Sequence, residues 1–213
     1  MNFRRALLVA VAMLAVSSAA MAADPGYFMV NTLTIDPTAY LDMPGWGVVT
    51  GGTPYATVNG YITDPFGATG RIRSSVVAND PLTLHSIGSM SGQDYNDLVG
   101  APSFQLRNPV LPNDSLLRVT YWGDSNLDGT TNFDDYGYIN FAYAAGGLSG
   151  WVWGDYDRNG TIDFDDYGYI NYAYASISAA GAAGAGAQAV PEPSVVVLLL
   201  SAVVGFVAFL RKR

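Results

Sequence analysis

One stretch of this chain occurs twice. Residues 121–145 read YWGDSNLDGTTNFDDYGYINFAYAA, residues 152–176 read VWGDYDRNGTIDFDDYGYINYAYAS, and the two superpose at an offset of 31 positions. Asp124 falls on Asp155, Gly129 on Gly160, Asp135 on Asp166 and Tyr143 on Tyr174. Each copy opens with an acid-rich turn around a glycine and continues into an aromatic run of helical period. Helices this short are marginal alone. The stripes Phe133, Tyr136, Ile139, Tyr143 and Phe164, Tyr167, Ile170, Tyr174 are therefore expected to pack, each against the other copy, as core.

The acid-rich turns have the spacing of a calcium loop. Such a loop needs hard oxygen donors at alternating positions, a glycine at position 6 where the chain turns sharply, and a carboxylate at position 12 that closes the shell from the following helix. In the first copy the ligand positions 1, 3, 5, 7, 9 and 12 are Asp124, Asn126, Asp128, Thr130 (through its carbonyl), Asn132 and Asp135, with Gly129 at position 6. In the second they are Asp155, Asp157, Asn159, Thr161, Asp163 and Asp166, with Gly160 at position 6. Every side-chain position carries oxygen in both copies, which predicts two bound calcium ions. The carboxylates at these positions repel one another without metal, so folding of 120–177 is expected to depend on calcium.

Composition narrows the alternatives. Without residues 1–22 and the last 23, the chain has 17 acidic against 5 basic side chains. That balance argues against nucleic acid, which needs Lys and Arg for phosphate contacts, and favours cations. Cysteine is absent, so neither a disulfide nor a thiolate metal site exists. One histidine, His85, and one glutamate, Glu192, leave little for catalysis. His85 is expected on the solvent side of a strand, Asp94 and Asp97 on a solvated helix face, and Ser74-Ser75 lacks the Gly-x-Ser-x-Gly frame of a nucleophile elbow. No enzyme is expected.

The ends read as sorting signals. Residues 1–22 combine Arg4 and Arg5 with the apolar run Ala6 to Val16 and Ala20-Met21-Ala22, a signal peptide cut after Ala22. Residues 178–190 form an Ala/Gly linker. Residues 191–213 begin Pro191-Glu192-Pro193, continue through an apolar run from Ser194 to Leu210, and end in Arg211-Lys212-Arg213. That order predicts one C-terminal transmembrane helix with a basic end inside.

Residues 23–120 show short β-branched and aromatic segments between turn signals. The expected strands are Phe28–Ile35, Trp46–Thr50, Tyr55–Ile62, Arg71–Val77, Leu82–Ile87 and Leu116–Tyr121. One short helix is expected at Gly92–Leu98 with Ser91 as its N-cap.

Three resemblances follow. The duplicated loop-then-helix, with Asp135 and Asp166 at position 12, an apolar Ile162 at position 8 (Thr131 in the first copy) and no entering helix, resembles the type I dockerin, a duplicated F-hand module. The resemblance implies a cohesin-like or surface-protein partner. The chain departs from the family at positions 10, 11, 17 and 18, where Phe133-Asp134, Phe164-Asp165, Asn140-Phe141 and Asn171-Tyr172 replace the usual hydroxyl and basic residues. The last 23 residues are similar to the PEP-CTERM sorting signal, which implies recognition by an exosortase-type enzyme and transient membrane anchoring. Asn31-Thr32-Leu33-Thr34-Ile35, Gly70–Ser75 and Leu116–Tyr121 resemble the segment that closes the β-solenoid of large secreted bacterial proteins, which implies a parallel β stack.

The expected fold class is thus mixed: a β-rich, β-solenoid-end-like region (23–120), a small α dockerin-like pair (121–177) and a C-terminal transmembrane helix. The expected function is that of an exported, calcium-binding surface or extracellular-matrix protein. The alternative is a carbohydrate-binding or carbohydrate-active accessory protein of a secreted polysaccharide-degrading system.

Overall fold

The computed structural model describes residues 27–43, 47–105 and 107–184. The chain divides into two compact units, 1–176 and 177–213. The account below concerns the described part of the first, and the boundary expected at 120/121 falls inside it.

Six strands are present: β1 (Tyr27–Val30), β2 (Leu41–Asp42), β3 (Gly47–Thr50), β4 (Ile72–Arg73), β5 (His85–Ser91) and β6 (Ser115–Tyr121). Four of them form a sheet in the order β1-β3-β6-β5, and β2 and β4 form a separate two-stranded parallel pair. β1 and β3 are parallel, but β3–β6 and β6–β5 are antiparallel. The expected β-solenoid-end-like stack is therefore corrected to a mixed sheet. A solenoid requires successive coils to run the same way, whereas β6 reverses against both of its neighbours.

Side chains on successive residues of a strand point to opposite faces, and this sheet buries both. Val49, Met90 and Leu116 join one core cluster; Val48, Ile87 and Leu117 join the other. The register agrees, with Val49 opposite Leu116 and Val48 opposite Leu117. The second cluster is closed by Leu33, Ile35, Val58, Ile62, Ile72 and Val77 from the N-terminal coils. The first is closed by Trp122, Leu127, Ile139, Trp151, Tyr156 and Ile170 from the duplicated segment. The sheet is thus the middle of three layers.

Four expected strands are helical or cut short: Phe28–Ile35 ends at Val30, Leu82–Ile87 begins at His85, and the other two change more. Tyr55–Asn59 is a helix, α1, preceded by Pro54. Pro presets φ for a first helical turn, and Val58 and Ile62, four apart, lie together in the core. Arg71–Val77 breaks at Ser74, whose side chain caps the helix α2 (Ser75–Ala78) by accepting from Val77 N–H. The helix expected at Gly92–Leu98 is present as α3 (Gly92–Asp94) running into a π-helical turn (Tyr95–Val99), with Ser91 capping Asp94 N–H at 3.0 Å. His85 is half-buried rather than solvent-facing: Asp80 holds its Nδ1 at 2.6 Å and Tyr121 stacks on its ring.

The loop–helix units follow. α4 spans Phe133–Ala145, a single 3-10 turn spans Trp151–Trp153, and α5 spans Phe164–Gly184, so residues 178–184 of the expected linker are helical. Among the described residues no helix is long and apolar enough to cross a membrane, so the transmembrane helix is removed from the fold class. Residues 191–213, on which that expectation fell, lie outside the described residues, as do the signal peptide and Trp46.

Candidate metal centre

Each loop is built by its own side chains folding back on its backbone. In the first, Asp124 Oδ1 accepts from Asp128 N–H at 3.0 Å, and Oδ2 accepts from Gly129 N–H at 2.9 Å and from the Thr120 hydroxyl. Asn126 Oδ1 accepts from Asp128 N–H at 2.9 Å, and Asp128 Oδ1 accepts from Thr130 N–H and its hydroxyl at 2.9 Å. Asn132 caps α4 through Asp134 N–H at 2.7 Å. The second loop repeats the scheme. Asp155 accepts from Gly160 N–H at 3.2 Å, Asp157 from Asn159 N–H at 2.9 Å, Asn159 from Thr161 N–H at 2.7 Å and Asp163 from Asp165 N–H at 2.8 Å.

Position 12 explains how Asp does the work of a longer acid. The helix starts close enough for Asp135 Oδ1 to accept from Ser125 and Asn126 N–H at 2.9 and 3.3 Å, while Oδ2 accepts from Asn132 N–H at 2.9 Å. Asp166 does the same with Tyr156, Asp157 and Asp163 N–H at 2.8, 3.4 and 3.0 Å. One carboxylate thereby ties both ends of its loop to the helix N-terminus, in a capping box for α4.

These acids are deeply placed. Asp124, Asp135 and Asp166 are fully buried and Asp155 nearly so. Burial pushes Asp124 up to about 7, with the Asp135 and Asp128 charges adding to it and the Thr120 hydroxyl and Gly129 N–H opposing. Burial likewise pushes Asp135 and Asp166 up to about 6, against the pull of their N–H donors. A buried carboxylate with no cation beside it is costly.

In the second loop Asp155, Asp157 and Asp166 each offer a carboxylate oxygen, and the three atoms lie within 4.8 Å of one another. Among the described residues this is the only such grouping of three acids. The first loop does not form one. Asn126 stands where Asp157 does, and Asp128 spends Oδ1 on Thr130. The donor set of each loop is entirely oxygen, which fits a hard cation and, by ligand number and flexibility, calcium better than magnesium.

Three features of the site were not expected. Position 4 is left-handed in both loops, Leu127 at φ 60° and Arg158 at φ 63°, beside Gly129 at 98° and Gly160 at 87°. Leu127 enters the core. Arg158 is buried and donates to Asn59 Oδ1 and Ile87 C=O, both at 2.6 Å. The loops meet at position 2, where Ser125 Oγ and Tyr156 Oη share a hydrogen bond of 2.8 Å, and Trp151 Nε1 donates to Asp124 C=O at 2.6 Å. Only the copy-to-copy difference at positions 2 and 4, Ser125 against Tyr156 and Leu127 against Arg158, marks these residues in the sequence.

The aromatic stripes meet the other copy as expected, and their burial is corrected. Ile139, Ala142, Ile170 and Ala173 are the buried part, whereas Phe133 and Phe164 are 74% and 81% exposed. Their rings line the outside of the helix pair, Phe133 against Tyr174 at 5.3 Å and Phe164 against Tyr143 at 6.4 Å. No protein-family model, curated protein or solved structure matches the chain.

Proposed function

We propose that residues 121–176 are a dockerin-type pair of calcium loops in an exported, non-enzymatic surface or matrix protein. The observation that carries this reading is the convergence of Asp155, Asp157 and Asp166 within 4.8 Å around a buried position-12 carboxylate. The first loop, with the same hydrogen-bond scheme but Asn132 where the second has Asp163, carries one carboxylate fewer at the ligand positions and is the weaker of two sites because calcium affinity follows ligand charge. Calcium here is structural: it neutralises the buried acids and fixes α4 and α5 against each other. The exposed aromatic side chains Phe133, Phe164, Phe141 and Tyr172 are the groups offered to a partner. The segment 1–22 supports export, where calcium is abundant.

Calorimetric titration of calcium into chelator-treated protein tests the reading. Two saturable sites are expected, with Asp166→Asn abolishing the tighter and Asp135→Asn the weaker. Absence of saturable binding, or two-site binding in both variants, sinks it.

A further inference from the structure

The acidic chain carries five arginines between residues 27 and 184, and three are committed to the fold. Arg107 pairs with Asp114 at 2.8 Å, Arg118 donates to Leu127 C=O at 2.8 Å, and Arg158 is buried against Asn59 and Ile87. The remaining two, Arg71 and Arg73, line the same groove, of about 510 Å³, between α1 and the β2–β4 pair. Its volume is that of a small-ligand site.

Both guanidiniums are held by aromatic rings rather than by acids. Arg71 lies over Tyr61 at 5.3 Å and Arg73 over Tyr40 at 4.3 Å. Neither has a carboxylate within ion-pair distance among the described residues. Asp42, in register beside Arg73, gives its two oxygens to Ser75 N–H and Oγ at 2.7 and 2.8 Å. Asp36, the other nearby acid, is engaged by Thr38 and feels Arg71 only weakly. Arg73 spends Nε on Gly70 C=O at 2.7 Å, which leaves its two terminal nitrogens. Thr57 and Thr63 also line the groove and are exposed.

We propose that this groove binds an anionic saccharide, through a carboxylate or sulfate on the arginine forks and sugar hydroxyls on Thr57 and Thr63. A planar guanidinium braced on a ring is preorganised for such an oxyanion. Arg71 and Arg73 are the two basic groups of the groove, and the nearby Asp36 and Asp42 are engaged by Thr38 and Ser75 rather than by them. An acidic peptide is disfavoured, because β2 and β4 are two residues each and give no edge on which an added strand can pair.

The test is calorimetry on the full chain at fixed calcium, with trigalacturonate, a sulfated oligosaccharide, maltotriose and hexa-aspartate as titrants. One of the two anionic saccharides, or both, is expected to bind saturably, and maltotriose and hexa-aspartate are not. Arg71→Gln and Arg73→Gln should each weaken binding about tenfold. Arg71→Lys and Arg73→Lys, which keep charge but lose the fork, should fall between and serve if a glutamine variant does not fold. No saturable binding of either anionic saccharide, equal binding in all variants, or hexa-aspartate binding as tightly overturns the proposal.

Discussion

At the scale of single residues, position 12 carries most of the consequences. Asp135 and Asp166 are at once loop closures, helix caps and buried charges, so Asn at either position keeps the shape and removes the charge. In the proposed site Asp166→Asn is expected to abolish saturable calcium binding at the second loop, read by calorimetry. The same burial sets a pH dependence. With Asp124 near about 7 and Asp135 and Asp166 near about 6, all above the ordinary 3.8, the folded state holds these protons to higher pH than the unfolded chain does. Calcium-free stability is therefore greatest near the ordinary carboxylate value and is lost as pH rises through 6 to 7. Asp80 acts in the opposite sense, but its pKa lies below the ordinary value, so its contribution is lost only at lower pH. Chelator-treated protein should melt higher at about pH 5 than at about pH 7.5. Calcium-loaded protein should show the reverse, since the ion needs the deprotonated ligands. A chelated melting temperature that is flat or falls toward pH 5 contradicts the assignment of these acids as the strained groups.

At the scale of elements, the two copies are related by an approximate two-fold. Tyr136 Oη donates to Asn171 Oδ1 at 2.6 Å, and Tyr167 Oη donates to Asn140 Oδ1 at 2.7 Å, the same bond read in each direction. Gly123 and Gly154, just before each loop, complete the relation. At φ 84° and 102° they bring the backbone onto the isoleucine of the opposite helix, and an added Cβ would stand 2.5 Å from Ile170 Cγ1 or 2.6 Å from Ile139 Cγ1. Gly123→Ala and Gly154→Ala should each cost about 1–3 kcal/mol in denaturant unfolding with calcium present. The symmetry predicts similar losses for the two. What was legible in the sequence divides along the same line. The turns at Gly129 and Gly160, the Ser91 cap, the start of α4 and α5 and the strand Leu116–Tyr121 are local and were readable. The exposure of Phe133 and Phe164 was not, because a 3.6-residue stripe gives a face but not its width. The whole stripe touches the other copy, but only its centre, at Ile139 and Ile170, is sealed from solvent. The helix at Tyr55–Asn59 was missed because Val58 and Ile62 are fixed by what they pack on, which short β-branched segments do not reveal.

At the scale of the whole unit, the paired loops and the sheet are one structure. Leu127 Cδ2 lies so close to β5 that a Cβ on Gly88 would stand 2.5 Å from it. Arg158 crosses from the second loop to α1 and β5 without a carboxylate partner, its Nε unpaired and its pKa lowered by burial. A buried cation that satisfies Asn59, Ile87 C=O and Ser89 joins a metal loop to the middle layer of the fold. If calcium fixes the loop as proposed, it stabilises the sheet as well. At a concentration about a hundred times Kd, each proposed site adds about 2.7 kcal/mol, and calorimetry should show one transition that rises with calcium. Arg158→Met tests the joint. It removes a costly charge but takes the Arg158 donor from Ile87 C=O, while Asn59 Oδ1 keeps the Ser89 hydroxyl at 2.8 Å, for a net loss of about 1–3 kcal/mol. In hydrogen exchange the native chain should show calcium-dependent protection of β5 as well as of α4 and α5. The Arg158→Met chain should keep protection in the two helices and lose the calcium dependence in β5. Calcium-dependent protection confined to 121–176 in the native chain would mean that the sheet and the loops fold separately despite their shared core.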